Sequence, residues 1–304
     1  MSWLWVALGA VGLAALAYWQ LIIAEGAYLG PRVVAWTYDR VARRYDAIKR
    51  FNPQDERWFV AGPLLRLLAG VEKPLLLDVA TGTGRLPLAL LREHFRGQIV
   101  GLDLSLGMLR QARARLQPYG EQVGLVWQDA SHLPFAEGTF DAVTCLESLE
   151  FLPRPAQAVG EMVRVLAPGG VLFLTNRVGG EARLLPGRVF PRPLFERLLA
   201  AYPLQGVEVR PWQVHYDRVL ARKQGPRLPE GRGGVALSSL LCCPACGGPL
   251  QEQVCALSCP TCGQTFPIRE GVIHLARPAF SPSGRRKEHS LPGLSRGAGA
   301  RKTE

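Results

Sequence analysis

The first hydrophobic block runs from Trp3 to Ala24 without a charge, and Gln20 is its only strongly polar residue. As one helix it would span about 33 Å, enough for a bilayer core. Trp3 and Trp5 lie at one end, Tyr18 and Trp19 near the other, as interfacial aromatics would. Gly9, Ala10, Gly12, Ala14 and Ala15 would let helices pack closely. From Pro31 to Phe51 the pattern changes. Val34, Tyr38, Val41, Tyr45 and Ile48 recur at helical spacing among basic residues, which predicts a basic amphipathic helix. Trp58–Leu68 predicts a further helix leading into the first strand.

Beyond Leu75, short apolar runs alternate with helical periodicity. Strands are expected at Leu75–Asp78, Gln98–Leu102, Val123–Trp127, Gly138–Glu147 and Val171–Thr175. Helices are expected after Gly84, over Leu106–Leu116 with Ser105 as N-cap, over Ala156–Leu166, and over Pro193–Ala201. Val207–Trp212 and Val214–Leu220 read as a closing pair of strands. Such alternation is the mark of an α/β fold with a parallel sheet.

Composition adjusts this picture in two places. At 304 residues with 48% hydrophobic content, the chain can hold one sizeable domain plus small additions. The net charge of +11 favours anionic partners such as phospholipid head groups or nucleic acid. Part of that charge lies in the tail. There Arg277, Arg285, Arg286, Lys287, Arg296, Arg301 and Lys302 face only Glu288 and Glu304, so residues 277–304 read as a disordered basic tail. Arg32, Arg40, Arg43, Arg44, Lys49 and Arg50 follow the first block and assign that side to the cytoplasm by the positive-inside rule. The expectation is a single-pass anchor over residues 1–24. A cleaved signal peptide normally carries a basic region that is missing before Trp3, and a buried core helix is the remaining alternative.

The stretch Leu75–Arg85, LLLDVATGTGR, carries the chemistry. A buried strand ends at Asp78, a turn with Gly82 and Gly84 follows, and a helix begins. Strand, Gly-rich turn and helix open a nucleotide-binding unit. Asp103 ends the next strand about 20 residues on, where a carboxylate would accept hydrogen bonds from ribose hydroxyls. The dinucleotide spacing is not met, since Gly84 is followed by Leu86 and Pro87. An acidic strand end before an x-x-x-G-x-G turn points instead to S-adenosylmethionine.

DVATGTGR resembles the first motif of class I methyltransferases, particularly those of ubiquinone and menaquinone biosynthesis. GTFDAV at Gly138–Val143, LAPGGVLFLTNR at Leu166–Arg177 and the pattern Tyr38-Asp39-x-x-Ala42-x-x-Tyr45-Asp46 extend the resemblance over residues 38–222. It implies a Rossmann-like seven-stranded sheet with helices on both faces, ending in a strand pair with one strand antiparallel at the edge. It implies cofactor contacts from Asp78, Ala80, Thr81, Gly82 and Gly84 in the first turn, Asp103 and Leu104 after the second strand, and Met108 near the adenine. Asp129 and Ala130 would meet the adenine edge, and Tyr45 would help cover the cofactor. Asp129 could also be a plain turn-capping residue. Glu147 and Glu150 are the carboxylates expected to face the acceptor, with Glu147 the candidate general base or else a cofactor-lining residue. His132 and His215 read as surface or packing residues. Ala80 stands where many relatives have glycine. No Asn-Pro-Pro-Tyr-like sequence follows the fourth strand, which argues against adenine N-methylation of DNA. Only a short insertion, Arg177 to Pro191, is left for a substrate lid.

Six of the seven cysteines fall within 21 positions, after a Gly-, Pro-, Arg- and Lys-rich linker at 224–238. Two C-x-x-C knuckles, Cys243/Cys246 and Cys259/Cys262, have the spacing of a tetrahedral four-cysteine zinc site within a module over 239–276. Cys242 and Cys255 are spares, and His274 is expected to be structural. With Phe266–Leu275 the module resembles the small zinc-binding partner of methyltransferases acting on tRNA, rRNA and release factors, here fused at the C-terminal side. The leading expectation is a membrane-anchored S-adenosylmethionine-dependent methyltransferase with a small or lipid-soluble acceptor, such as a quinone precursor. Methylation of RNA or protein through the zinc module is the alternative, and a non-catalytic scaffold with the cofactor fold is the third.

Overall fold

The computed structural model describes residues 2–276; the predicted basic tail lies outside them. Helix α1 (Ser2–Tyr18) runs on as a π-helical turn over Trp19–Ile23. Trp3–Ile23 is long and apolar enough to cross a membrane, and none of it is buried. A collar at 24–30 then turns the chain into α2 (Pro31–Val41), where Pro31 supplies a preset φ and needs no hydrogen-bond partner for its nitrogen. The predicted Pro31–Phe51 helix is not continuous. It tightens into a 3-10 turn at Ala42–Arg44 and resumes as α3 (Tyr45–Lys49), which stops at Arg50 in a left-handed conformation. α4 (Pro53–Asp55), a π-helical turn at Glu56–Ala61 and α5 (Gly62–Leu68) follow. This rod starts before the predicted Trp58 because Asn52 caps it, accepting a hydrogen bond from the Gln54 amide at 2.9 Å.

The central sheet comprises β1 (Leu75–Val79), β2 (Gln98–Asp103), β3 (Val123–Trp127), β4 (Phe140–Cys145), β5 (Leu166–Arg177), β6 (Leu204–Trp212) and β7 (Tyr216–Lys223). Its helices are α6 (Arg85–Arg92), α7 (Leu106–Leu116), α8 (Pro155–Val165) and α9 (Arg192–Ala200). The strand order is β6-β7-β5-β4-β1-β2-β3, the doubly wound arrangement the alternation predicts. All of β1 is buried. Leu75, Leu77 and Val79 feed the core on one face and Leu76 the core on the other, so both faces are covered. β7 runs antiparallel to β5 and β6 but lies one strand inside; β6, not the antiparallel strand, forms the edge.

The segment around Pro168 also differs from expectation. The helix ends at Val165, and Leu166 already pairs with Phe140 in the sheet. Ala167–Gly170 then bulges out before Val171 meets Ala142. A side chain at Gly170 would strike the Ala167 and Asp141 carbonyl oxygens, so the bulge requires glycine.

The larger departure is at the other end. The sheet does not stop at β3. After α10 (Leu237–Leu240), the chain forms β8 (Gln251–Gln253), β9 (Ala256–Ser258), β10 (Thr265–Arg269) and β11 (Val272–His274). β11 pairs parallel with β3, placing Val272, Ile273 and His274 against Leu125, Val126 and Trp127. The cysteine module therefore extends the sheet to eleven strands and covers what would be an open edge. Leu241, Leu250, Leu257, Phe266 and Ile273 join the same apolar cluster as Val126 and Phe135.

The segment read as a linker is a strap lying along the domain. Glu72 and Lys73 donate backbone hydrogen bonds to Pro229 and Glu230, and the Gly233 amide donates to Lys73. Buried Asp141 fastens it. Its carboxylate accepts from the Leu75 amide (2.9 Å), the Arg232 amide (2.8 Å) and the Arg232 guanidinium (2.6 Å). Asp141→Ala would leave that guanidinium and a strand amide without their acceptor. The substitution should destabilise the protein by about 3 kcal/mol, read as a lower denaturant midpoint at unchanged m-value.

Candidate active site

The turn after β1 is held by two buried carboxylates. Asp78 accepts hydrogen bonds from the hydroxyls of Thr81 and Thr144, each at 2.7 Å. Asp103, at the end of β2, accepts from the Gly82 amide and the Ser105 amide, each at 2.8 Å. Burial pushes both carboxyl groups up to about 6. Ala80 takes a left-handed conformation at φ 56°, as does Gly82. A Cβ at Gly82 would meet no atom within 4 Å, so the backbone there borders open space. At Gly84 the reverse holds, because a Cβ would come within 2.7 Å of Leu116 and force α6 from α7.

That open space is a cavity beside the turn. Ala80, Gly82, Asp103, Leu104, Met108, Asp129 and Ala130 line it, as do Glu147 and Tyr45. Asp78, Thr81 and Gly84 stand behind the lining: Asp78 and Thr81 brace the turn, and Gly84 lets it pack. Asp129 both lines the cavity and caps its own turn, accepting from the Ser131 amide at 2.8 Å. Ser105 is the N-cap of α7, accepting from the Met108 amide.

The roof comes from the segment around Tyr38 and Tyr45, where the resemblance placed a cover. Pro31, Val34, Ala35 and Tyr38 of α2, with Tyr45 of α3, close the cavity. Two aspartates pin this roof. Asp39 accepts from the Ser105 hydroxyl (2.5 Å) and the Gly107 amide (2.7 Å) at the start of α7. Asp46 accepts from the Thr83 hydroxyl and the Arg115 guanidinium, both at 2.7 Å. Tyrosines and aspartates seven residues apart fall on the same side of a helix after two turns. That spacing was the available signal for Tyr38, Asp39 and Asp46. Val34, from the same apolar stripe, also lines the cavity, as do Ala35, Gln128, Phe151 and Leu152, which no local pattern marks.

Glu147 sits at the cavity mouth in a left-handed conformation, φ 51°, its amide donating to the Thr175 hydroxyl at 2.6 Å. One carboxylate oxygen accepts from Arg85 at 2.6 Å, and the other lies 3.5 Å from the Lys49 ammonium. Arg85 also grips Glu56 through two hydrogen bonds of 2.7 Å and stacks over Phe51. Glu150 is buried and accepts from the Tyr216 hydroxyl at 2.7 Å. His132 is exposed and pairs with Glu161, away from the cavity. Burial pushes the Cys145 thiol up to about 12, so it is a neutral core group.

The cysteine module supplies a separate centre. The sulfurs of Cys243, Cys246, Cys259 and Cys262 lie within 4.8 Å of one another. Cys243 and Cys262 are 3.6 Å apart and Cys246 and Cys259 3.4 Å, against about 3.8 Å for tetrahedral thiolates around zinc at 2.3 Å. Both knuckles fold alike: the amides of Gly247 and Gly263 donate at 2.8 Å to the carbonyls of Cys243 and Cys259. The donor set fits zinc, held by four cysteines in a structural site without an open position. His274 stacks edge-on against Trp127 instead and takes no part.

A methyltransferase-domain model matches residues 77–174, and a Trm112p-like model matches residues 235–271. The ubiquinone/menaquinone biosynthesis C-methyltransferase UbiE of Syntrophotalea carbinolica is 34% identical over 165 residues, covering 53% of this chain and 69% of that protein. The chain belongs to this family of methyltransferases. It is an S-adenosylmethionine-dependent enzyme, and Asp103, the turn and Met108 line its cavity. The demethylmenaquinone methyltransferase of Thermus thermophilus is 37% identical over 139 residues, with 45% of this chain and 62% of that one covered. That coverage falls short of two thirds of the relative's length. Among solved structures, the [4+2]-cyclase SpnF shares the fold at a TM-score of 0.51 and 22% identity, covering 64% of this chain and 96% of that one. A Haloferax volcanii complex of a Trm112 methyltransferase activator with a putative methyltransferase matches at 0.50 and 18%, covering 62% and 98%.

Two tests address the cofactor side. Asp103 is the carboxylate expected to accept from ribose hydroxyls in its ionised form, and falling pH protonates it in the free protein. The Kd for S-adenosylhomocysteine should therefore rise about tenfold per pH unit once pH falls below about 6, measured by isothermal titration. Asp39→Ala removes the charged acceptor that fixes the roof. It should weaken the same binding by about tenfold, mostly through faster dissociation in stopped flow.

Proposed function

We propose that the enzyme methylates a quinone-type, lipid-soluble acceptor at the membrane surface. The observation that carries this reading is the origin of the roof. The helix closing the cofactor cavity begins at Pro31, eight residues after the apolar helix ends at Ile23. An anchor at Trp3–Ile23 would hold the cavity mouth beside the bilayer, with the catalytic domain on the cytoplasmic side where Arg32, Arg40, Arg43 and Arg44 meet lipid phosphates. The curated relatives named for ubiquinone and menaquinone methylation supply the acceptor class.

The collar supports the same placement. Arg188, from the loop between β5 and α9, donates to the carbonyls of Leu152 (2.8 Å), Pro153 (3.0 Å) and Ala27. The Trp19 indole donates to the Leu184 carbonyl at 3.0 Å, and Tyr28 to Pro186 at 2.8 Å. The short insertion thus ties the base of the apolar helix to the cavity rim.

In the transfer, the cofactor supplies an activated methyl group, and the chain's contribution is orientation and exclusion of water. Glu147 acts here as a positioning group. With both oxygens engaged by Arg85 and Lys49, it fixes one wall of the cofactor cavity.

A second reading, methylation of RNA or protein, draws on the Trm112p-like module. No residue of that module lines the cofactor cavity. We infer a structural role for it as the partner of β3. Full-length protein incubated with methyl-labelled S-adenosylmethionine, total membrane lipids and total RNA separates the readings. Label should enter the lipid extract and leave RNA blank. Label in RNA alone would overturn the proposal.

A further inference from the structure

The apolar helix does not stand clear of the domain it precedes. The Trp19 indole donates at 3.0 Å to the Leu184 carbonyl, in the loop between β5 and α9. Trp19 lies four residues before the end of the apolar stretch Trp3–Ile23, a depth of about 6 Å at the rise of a helix. The contact is braced. The Trp19 and Tyr28 rings stack with centroids 5.1 Å apart, Tyr28 donates to the Pro186 carbonyl, and the Arg188 guanidinium lies over the Tyr28 ring. Helix and loop cannot separate without breaking these contacts.

Length then sets where a bilayer boundary falls. The residues before Trp19, 3–18, span about 24 Å, short of a hydrocarbon core of about 30 Å. Trp3–Ile23 spans about 32 Å and is long enough. A bilayer crossed by this helix therefore reaches past Trp19, and the loop residue bonded to Trp19 comes down to the same level.

The surface around the helix base suits that level. Leu184 is 43% exposed, and Leu29, at the end of the collar, 52%. Glu181, the acid of the loop, is neutralised by Arg177 at 2.6 Å, while Arg183 is exposed. On α2, Val34, Ala35 and Tyr38 take the cavity side. Val33, Trp36 and Arg40 fall together on another side, three and four residues apart. Val33 packs on Gly26 of the collar, Trp36 is 49% exposed, and Arg40 lies over its ring at 4.2 Å. Exposed apolar side chains that continue an apolar helix and carry arginines among them make a headgroup-level contact.

We propose that this rim is a second membrane contact, in which Leu29, Trp36 and Leu184 bed at the headgroup level of an anionic bilayer with Arg40 and Arg183 on its phosphates. The proposal rests on the anchor reading given above and adds what one helix does not supply. A single span can tilt in the bilayer. Contacts from α2 and from the β5–α9 loop fix the tilt, and the face they turn to the lipid is the outside of the cofactor roof.

The test uses full-length protein in vesicles of phosphatidylglycerol and phosphatidylcholine whose acyl chains are brominated near the headgroup. The difference in emission between wild type and Trp36→Phe isolates Trp36. Bromine should quench that difference by at least about twofold, and more in the mixture than in phosphatidylcholine alone. The pair Arg40→Glu and Arg183→Glu should remove the preference for the mixture. Trp58, 67% exposed on the rod before α5, is isolated in the same way by Trp58→Phe and should stay unquenched. Leu184→Trp adds a reporter on the loop that should be quenched, and it decides alone if Trp36→Phe fails to fold. An unquenched Trp36 overturns the proposal, as does equal quenching of Trp58. Trp36 shielded from aqueous acrylamide yet untouched by bromine would mean that a second copy of the chain covers this face, and overturns it too. Trp36 quenched with no label in the lipid extract keeps the seat and removes the acceptor reading. Label in the extract with Trp36 unquenched does the reverse.

Discussion

Two aspartates decide the architecture of this enzyme. Asp39 and Asp46 carry α2 and α3 onto the first turn of α7 and onto the Gly-rich loop, through four charge-assisted hydrogen bonds of 2.5–2.7 Å. Without that attachment the cofactor turn would open to solvent on one side. With it, the segment that follows the apolar helix becomes the roof of the cavity. Cofactor site and apolar helix are therefore parts of one structural unit, and the Arg188 staple between Ala27, Leu152 and Pro153 closes the loop between them.

The order along the chain becomes functional through this attachment. β1 carries Asp78, whose carboxylate braces the turn; β2 ends in Asp103, which holds the Gly82 amide. The loop after β4 carries Glu147 and β5 ends at Arg177, on the far side of the same crevice. The four strand ends meet at one crevice, where ligands bind at the carboxyl ends of parallel strands. Arg85 ties the two halves together by gripping Glu56 and Glu147 while stacking on Phe51.

Much of this was legible in the residues. LLLDVATGTGR and Asp103 identify the cofactor half because strand, glycine turn and acid are local and fixed in spacing. The four cysteines of the zinc site are legible for the same reason. What stayed hidden depends on distant partners. The alliance of Val272–His274 with β3 has no local sign, since an edge strand and a central strand carry similar apolar patterns. The strap around Arg232 looks like a linker because its anchor, Asp141, lies in β4. The bulge at Ala167–Gly170 breaks a strand that composition alone reads as a helix end. Tyr216 escapes notice because it is ordinary in its own segment, and only the fold brings it to Glu150.

Hydrogen exchange of the intact protein in detergent, with and without S-adenosylhomocysteine, tests the coupling of roof and cofactor site most directly. Amides in Pro31–Lys49 and in Ala80–Arg85 should gain protection together when the ligand binds. Protection of Ala80–Arg85 with no change in Pro31–Lys49 would contradict the coupling and reduce the roof to a neighbour of the site.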